Sequence, residues 1–269
     1  VDKIVNNPEA PTFENTIVAL ENAGQDLDRV LNVFYPLESA MSDDAFMELS
    51  VKITPRLSEY STSISLNEGL WERIKTVYDN ADTTRLSPED RMLLKRTYES
   101  FTRKGALLQG ADREKYSKLS SRLSELTTTF GQNTLKELNT YKIWLKAEDL
   151  DGLTESAVEA AALAAKENGR EGEYLFTLDA PVYSAFMKNS SRRDLREKMW
   201  RLYSGRNIKG EYNNIPVMKE IAETRLAIAN LLGYRTYADY SLANTMAAKT
   251  ENVYKLLNSL RDAYKPAQK

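Results

Sequence analysis

The chain has 269 residues, of which 42% are hydrophobic and 28% charged, with 37 basic side chains against 39 acidic ones and a net charge of −2. This balance is typical of a soluble globular protein, long enough for one large or two smaller domains, and it lacks the basic excess of a general nucleic-acid binder. The sequence contains neither histidine nor cysteine, which excludes disulfides, thiol catalysis, serine–histidine catalysis and the usual zinc ligands.

Apolar runs such as 159–165 are too short to cross a bilayer, so we expect no membrane partner. No signal peptide is visible at Val1, and because position 1 is not methionine we expect the native start to have been removed. Chains without cysteine occur in reducing and in oxidising compartments, so the composition leaves both the cytoplasm and the periplasm open.

The first third of the chain predicts a series of helices. Pro11 and Thr12 precede an apolar helical pattern that Gly24 weakens. Ser42, followed by two aspartates, predicts the next helix start, and Asn67 can cap a short helix after it. The clearest start is Ser87, because a serine cap, a proline in the first turn and two acids follow one another there.

A long helix is predicted next, after a break or bend at residues 105–111. Leu119, Leu123, Leu126 and Phe130 recur at intervals of four, three and four, and Leu135 and Leu138 prolong the apolar surface. This pattern fits either a stripe packed against helices of the same chain or one arm of a coiled-coil hairpin.

Two segments, at about 141–146 and 173–178, alternate and are rich in aromatic and branched residues, which predicts a small two-stranded β ribbon. An alanine-rich helix, about 154–168, lies between them, and Gly169 is its expected C-cap. The remainder predicts helices again, and their expected ranges are 192–204 capped by Ser191, 212–232 ending at Gly233, a short one opened by Thr236, and 253–264 stopped by Pro266. The predicted fold class is therefore mainly α.

Resemblances to nucleotide and calcium loops fail because the required residue types are missing at key positions. Gly205 and Gly210 have the glycine spacing of a phosphate-binding loop, but Glu211 and Tyr212 stand where lysine and serine or threonine are required. With Gly152 at the turn position of a calcium loop, Ala147 stands at the first position and Val158 at the last, where carboxylate ligands are required. We therefore assign no catalytic and no metal-binding residue.

Arg225 is the most informative charged residue. It is predicted to share a helical face with apolar residues, namely Met218, Ile221, Ala222, Ile228 and Leu232. Its head must be paired or reach outward, and an internal salt bridge and direct substrate contact are both open. Tyr234, Tyr237 and Tyr240 follow the same helix and are candidates to line a peptide channel, with ordinary packing as the alternative.

Several strings, in order and at matching distances, resemble the region upstream of the catalytic site in thimet-oligopeptidase-like zinc metallopeptidases. They are PTFEN at 11–15, LSELTTTFGQNTL at 123–135, the segment 149–169, GEYLFTLDAPVYSAFM at 172–187, SRRDLREKMWRLY at 191–203 and ANLLGYRTYA at 229–238. The bacterial peptidyl-dipeptidase and oligopeptidase A branch is the most similar, and the resemblance covers nearly the whole chain.

The resemblance implies a multi-helix N-terminal lobe of a two-lobed zincin-type enzyme, with a deep channel for short peptides. In that family the two histidines of an H-E-x-x-H helix and a downstream glutamate hold the zinc, and none of these residues can be assigned here because the sequence has no H-E-x-x-H. We therefore expect residues 1–269 to be an N-terminal helical domain, with sub-lobes 1–108 and 109–269, and the zinc domain to follow Lys269. That catalytic domain and short peptides are the expected partners, with zinc in the parent protein only.

The leading hypothesis is thus a non-catalytic wall of the substrate channel, inactive as an isolated fragment. The alternative from another class is a free-standing helical scaffold or peptide-binding protein without catalysis. Endopeptidase and dipeptidyl carboxypeptidase action are both compatible with the resemblance. A separate hypothesis, an enzyme that uses carboxylates alone, is not excluded by composition.

Overall fold

The computed structural model describes residues 1–41 and 44–268, and the helix start predicted at Ser42 and Asp43 lies outside these ranges. The chain divides into two compact units, Val1–Tyr116 and Ser117–Lys269. The helices that begin in the first unit are α1 Asp2–Val5, a π-helical turn Phe13–Val18, α2 Ala19–Asn22, α3 Gln25–Met41, α4 Asp44–Ser65, α5 Glu68–Asn80, α6 Pro88–Arg103 and α7 Gly110–Thr140, which continues into the second unit.

Helix starts in the first unit follow the predicted caps. Asn67 Oδ1 accepts the backbone N–H of Leu70, and Ser87 Oγ accepts that of Asp90, each at the first turn of its helix. The break predicted near Gly24 is confirmed, since α2 ends at Asn22 and α3 begins at Gln25. These caps fix the ends of α5 and α6, whose apolar faces then meet in the core.

The core of the first unit is built from the N-terminal segment, α5 and α6. Its buried residues are Ile4, Ile17, Leu70, Trp71, Ile74, Val77, Leu94 and Phe101. Fully burying a side chain of the size of leucine contributes about 1.5–3 kcal/mol, so this cluster is the main source of stability in the unit. Arg73 ties α5 to the N-terminal segment, because its guanidinium donates to the backbone oxygens of Asn7 and Glu9.

The second unit contains the only strands in the described part of the chain. Its elements after α7 are β1 Ile143–Leu145, a 3-10 turn Ala147–Asp149, α8 Glu155–Glu167, β2 Tyr174–Phe176, α9 Ala180–Asn189, α10 Arg193–Ser204, α11 Ile215–Leu231, α12 Tyr237–Leu242, α13 Thr250–Tyr264 and a 3-10 turn Lys265–Ala267. The strands are antiparallel, with Trp144 opposite Leu175. The predicted fold class, mainly α with a small two-stranded ribbon, is confirmed.

The ribbon persists because helices cover it, as a two-stranded sheet requires. The buried cluster around it contains Ile143, Leu145, Ala161, Phe176, Leu178, Phe186 and Met199. Helix α8 starts at the predicted place, with Thr154 Oγ1 accepting from the Ala157 N–H, and Gly169 follows its C-cap with φ +78°. Helix α8 therefore begins and ends where its sequence predicts.

Two predicted helix starts were wrong. Ser191 does not cap α10, because the helix begins at Arg193 and Arg192 occupies the N-cap position, while the Ser191 N–H donates to the Asp151 oxygen. Helix α11 begins at Ile215 and not at residue 212. The reason is Asn214, whose amide is 1% exposed and is held by residues of α7 in place of a continuing helix.

The Asn214 amide belongs to a polar network that fixes the α10–α11 loop to α7. Its Nδ2 donates to the Phe130 oxygen at 3.1 Å and to Thr134 Oγ1 at 3.3 Å, and its Oδ1 accepts from Asn133. Asn207, at φ +57°, donates its own N–H to Glu137. A buried network of this kind stabilises one loop conformation, since each unsatisfied member would be costly.

The apolar stripe predicted along α7 is only partly buried. Leu126 is 4% exposed, whereas Leu135 is 56% exposed. Neither alternative, a packed core stripe or a coiled-coil arm, is tested by these exposures. No helix among residues 1–41 and 44–268 is long and apolar enough to span a membrane.

Candidate functional site

Arg225 and the three tyrosines meet where α11 turns into α12. Gly233, at φ +82°, ends α11, and the Tyr234 N–H donates to the Ala229 oxygen across the turn. Asn230 Nδ2 donates to the oxygens of Tyr234 and Arg235, which fixes the turn further. Thr236 then caps α12 by accepting the Asp239 N–H, as predicted. The chain therefore reverses and brings α12 against α11.

The Arg225 guanidinium lies over a tyrosine ring. Its central carbon is 5.2 Å from the centre of the Tyr237 ring, within the distance of a cation–π contact. Its Nε is buried and has no hydrogen-bond partner within the described ranges. No carboxylate among the described residues lies within salt-bridge distance of the Arg225 guanidinium. The Tyr237 ring is therefore the group that compensates the positive charge.

The three tyrosines form one aromatic cluster. The ring centres of Tyr234 and Tyr240 are 5.4 Å apart at an edge-on angle of 78°, and those of Tyr237 and Tyr240 are 5.6 Å apart. All three side chains are partly exposed. A cluster of this type offers apolar ring faces and hydroxyl groups beside a guanidinium, which suits a peptide with a carboxylate group.

The face predicted for α11 was only partly right. Ile228 is buried, but Met218 is 51% exposed and Ala222 is also exposed. The buried residues of the helix are Thr224, Ile228 and Ala229, so the buried face is turned toward Thr224. Arg225 consequently stands at the border of the buried face, where a long cationic side chain can reach solvent.

The chain does not fit the zinc site of the enzymes that it resembles. It has no histidine, and no group of three carboxylates among the described residues converges to hold a metal ion. Zinc sites in proteins take imidazole, thiolate or carboxylate ligands in close tetrahedral arrangement. No step of a metal-dependent reaction is therefore assigned to residues of this chain.

A groove that the sequence analysis missed lies beside the β ribbon. It has a volume of about 450 Å³ and lies between α8, β2 and the start of α9. Three alanines of α8, spaced by three and four residues, line one wall: Ala157, Ala160 and Ala164. The spacing of these alanines is visible in the sequence, but by itself it predicts only a helix. The groove could not be predicted, because its opposite wall comes from a distant segment.

Comparison with known proteins agrees with the resemblance. Residues 186–269 match the family model described as Peptidase family M3. Oligopeptidase A of Haemophilus influenzae is 31% identical over 272 residues, an alignment that covers 99% of this chain and 40% of the relative.

By the match over residues 186–269 and the whole-chain alignment, the chain is similar to peptidase family M3. Dipeptidyl carboxypeptidase of Escherichia coli is 30% identical, covering 96% of this chain and 38% of that protein. A probable cytosolic oligopeptidase A of Arabidopsis thaliana is 27% identical over 94% of this chain and 37% of its own length. The chain thus spans about two fifths of the length of these M3 relatives, and it matches their N-terminal portion.

Proposed function

We propose that this chain is the non-catalytic N-terminal part of a zinc metallopeptidase of family M3, and that it forms one wall of the channel that admits short peptides. The observation that carries the proposal is the combination of whole-chain similarity to oligopeptidases with the absence of histidine. The zinc ligands of such an enzyme must then come from another part of the protein.

The physical role of such a wall is exclusion. Helices that pack around a buried core, such as α5 and α6 in the first unit, separate only at a large cost in free energy, because each buried side chain contributes to stability. A channel bounded by rigid helices admits an extended peptide and rejects a folded domain. The wall therefore selects substrates by size without contacting the metal.

The apolar face of α13 is the surface that we assign to the remaining part of the enzyme. Leu256, Leu257, Leu260 and Tyr264 lie on one helical face and are 60%, 53%, 43% and 71% exposed. An exposed apolar stripe of this kind marks an interaction surface more often than a solvated one. Relatives extend well beyond the aligned part, so a segment of the same polypeptide is the proposed occupant.

Arg225 and the tyrosine cluster are the residues that we propose to contact peptide. The guanidinium is held over Tyr237 while its terminal nitrogens have no carboxylate within the described ranges. Arginine binds carboxylates with two parallel hydrogen bonds, which would orient an acidic side chain or a peptide carboxyl group. The tyrosines would contact the peptide through ring faces and hydroxyls.

The test compares cleavage by the protein as it is encoded in full with cleavage by residues 1–269 alone. We expect the full protein to cleave a hexapeptide with a free C-terminal carboxylate in a chelator-sensitive manner. Arg225→Lys in the full protein should raise KM and change kcat little, because lysine cannot form the two parallel hydrogen bonds to the carboxylate. Tyr78→Phe, a ring substitution in the other unit, is the matched control and should leave both constants unchanged. A reading frame that stops at Lys269 would support a free-standing scaffold instead.

A further inference from the structure

The turn between α11 and α12 contains two backbone oxygens that neither helix uses. They belong to Tyr234 and Arg235, the last two residues before Thr236, which is the N-cap of α12. The first backbone bond of α12 runs from the Tyr240 N–H to the Thr236 oxygen, and among the described residues no backbone N–H donates to the two oxygens before it. A side chain or solvent must therefore satisfy them.

The Asn230 side chain supplies the missing donor. Its Nδ2 donates to the Tyr234 oxygen at 2.9 Å and to the Arg235 oxygen at 3.1 Å. An amide NH2 group carries two hydrogens, so one side chain can serve both oxygens at once. Asn230 lies in the last turn of α11, which ends at Leu231. The amide therefore ties the end of α11 to the residues that lead into α12.

This tie has a consequence for the Arg225 site. Tyr237 is the first residue of α12, and the centre of its ring lies 5.2 Å from the central carbon of the Arg225 guanidinium. Gly233, at φ +82°, permits the reversal of the chain before α12, but glycine restricts the backbone less than any other residue. The direction of α12, and with it the position of the Tyr237 ring, depends on contacts that fix the turn. The Asn230 amide makes two of them.

The Arg225 side chain has a buried base and an accessible end. Its Nε is buried without a hydrogen-bond partner, whereas its terminal nitrogens, which also have no partner among the described residues, reach solvent. A guanidinium binds a carboxylate best through two parallel hydrogen bonds, which requires that its plane is held in one orientation. The Tyr237 ring restricts that plane, so a shift of the ring changes how well a carboxylate fits.

We propose that Asn230 is a positioning residue of the Arg225 site. Its amide holds the turn that keeps the Tyr237 ring beside the guanidinium, and the site thereby prefers peptides with a free C-terminal carboxylate. The inference deepens the proposed function and rests on the part of it that assigns Arg225 to peptide binding. Asn230 acts through Tyr237 and does not touch the peptide, so its effect is on the preference for the carboxylate.

The experiment measures peptide affinity by calorimetry, in the protein as it is encoded in full and with chelator present to prevent hydrolysis. The probe is a hexapeptide with an acetylated N-terminus and the sequence serine-leucine-tyrosine-leucine-alanine-leucine, which has no charged side chain. It is used with a free C-terminal carboxylate and as the C-terminal amide. We expect the parent protein to prefer the carboxylate form about tenfold or more, since hydrogen bonds between charged groups contribute that much.

Asn230→Leu tests the amide, because leucine has nearly the same shape but no donor and no charge. We expect the preference for the carboxylate form to fall about fivefold, with the affinity for the amide form changed by less than about twofold. Asn168→Leu is the matched control and should leave the preference unchanged, since Asn168 Nδ2 makes the same kind of bond, to the Ala164 oxygen, at the end of α8. Thermal unfolding of each variant checks that the fold is retained.

A double variant tests whether Asn230 acts through the ring. In a protein that already carries Tyr237→Leu, we expect Asn230→Leu to cause no further loss of preference, since the effects of two residues that act through one contact do not add. Full additivity of the two substitutions would overturn the proposal, and so would an unchanged preference in Asn230→Leu alone.

Arg225→Met separates failure of this proposal from failure of the proposed function. We expect the preference for the carboxylate form to be lost in Arg225→Met and reduced in Asn230→Leu. Loss of the preference in Arg225→Met with no change in Asn230→Leu would refute the role of Asn230 and leave the peptide-binding role of Arg225 standing. An unchanged preference in Arg225→Met would refute the assignment of Arg225 to peptide binding, and this inference with it.

Discussion

The guanidinium of Arg225 lies over the ring of Tyr237, with 5.2 Å between its central carbon and the ring centre, and this contact joins α11 to α12. The two residues come together because Gly233 reverses the chain between them. A cation that faces a ring is partly compensated for lost hydration, so the pair can sit at the border of the core without a carboxylate.

Removing the ring should therefore destabilise the chain. We expect Tyr237→Leu to lower the free energy of unfolding by about 0.5–2 kcal/mol, because it removes the cation–π contact. Tyr237→Phe keeps the ring and is the matched control. A double-mutant cycle with Arg225→Met in urea unfolding isolates the pair, and a coupling energy near zero would show that the contact does not stabilise the fold.

Asn214 should be the most sensitive polar residue of the second unit. Asn214→Ala leaves the Asn133 amide and the Thr134 hydroxyl without their partner in a site that is 1% exposed, so we expect a loss of about 1–3 kcal/mol. Asn258→Ala on the exposed face of α13 is the control and should change stability by less than about 0.5 kcal/mol. Equal effects in chemical denaturation would refute this role for the network.

Tyr141 should make stability fall at high pH. Burial, followed by the hydrogen bond to the Glu137 carboxylate, raises the pKa of the Tyr141 phenol to about 12. In the unfolded chain this phenol titrates near pH 10, so between about pH 10 and 12 the unfolded state has lost a proton that the folded state keeps. Ionisation then favours unfolding, and stability falls as the pH rises through this window.

Tyr141→Phe provides the check. The variant should be less stable than the parent chain at pH 8 by about 0.5–1.5 kcal/mol, because the hydrogen bond to Glu137 is lost. Between pH 10 and 12 its stability should fall less steeply. Urea unfolding followed by far-ultraviolet circular dichroism measures both quantities, and parallel pH profiles would contradict the assignment.

Gly152 and Gly169 form a matched pair that separates backbone strain from steric overlap. Both have positive φ, +82° and +78°, but a Cβ at Gly152 would lie 2.4 Å from the Asn189 oxygen, whereas nothing lies within 4 Å at Gly169. Gly169→Ala should cost about 1–2 kcal/mol through the left-handed conformation alone. Gly152→Ala should cost clearly more, and equal shifts in thermal unfolding would disprove the close approach.

Local signals in the sequence were enough for much of the fold. The helix starts at Asn67, Ser87, Thr154 and Thr236 were predicted, because a helix start is determined within about four residues. The β ribbon was predicted from alternation on two segments about thirty residues apart. Its register was not predicted, since pairing depends on how helices cover both strands.

Failures occurred where a distant segment decides the local structure. Ser191 has the chemistry of a cap, but its N–H is bound to the Asp151 oxygen. The start of α11 moves to Ile215 because the Asn214 amide bonds to α7. The groove beside β2 could not be predicted either, because Ala160 and Pro181 meet only after the chain has folded.

The family resemblance supplied what local patterns could not. The strings at 172–187 and 229–238 indicated a resemblance to zinc peptidases although the chain has no zinc ligand of the usual kind, and the comparisons confirm this resemblance. The division into sub-lobes 1–108 and 109–269 stays a prediction, as do Arg225, Tyr234, Tyr237 and Tyr240 as channel residues.

The most direct measurement is chelator-sensitive hydrolysis of a short peptide by the protein as encoded in full, beside the same assay on residues 1–269. The account predicts that the full protein cleaves the free peptide, loses this activity with chelator and spares the same sequence inside a folded domain, while residues 1–269 cleave neither. Chelator-sensitive cleavage by residues 1–269 with stoichiometric zinc, or a full protein without such activity, would contradict it.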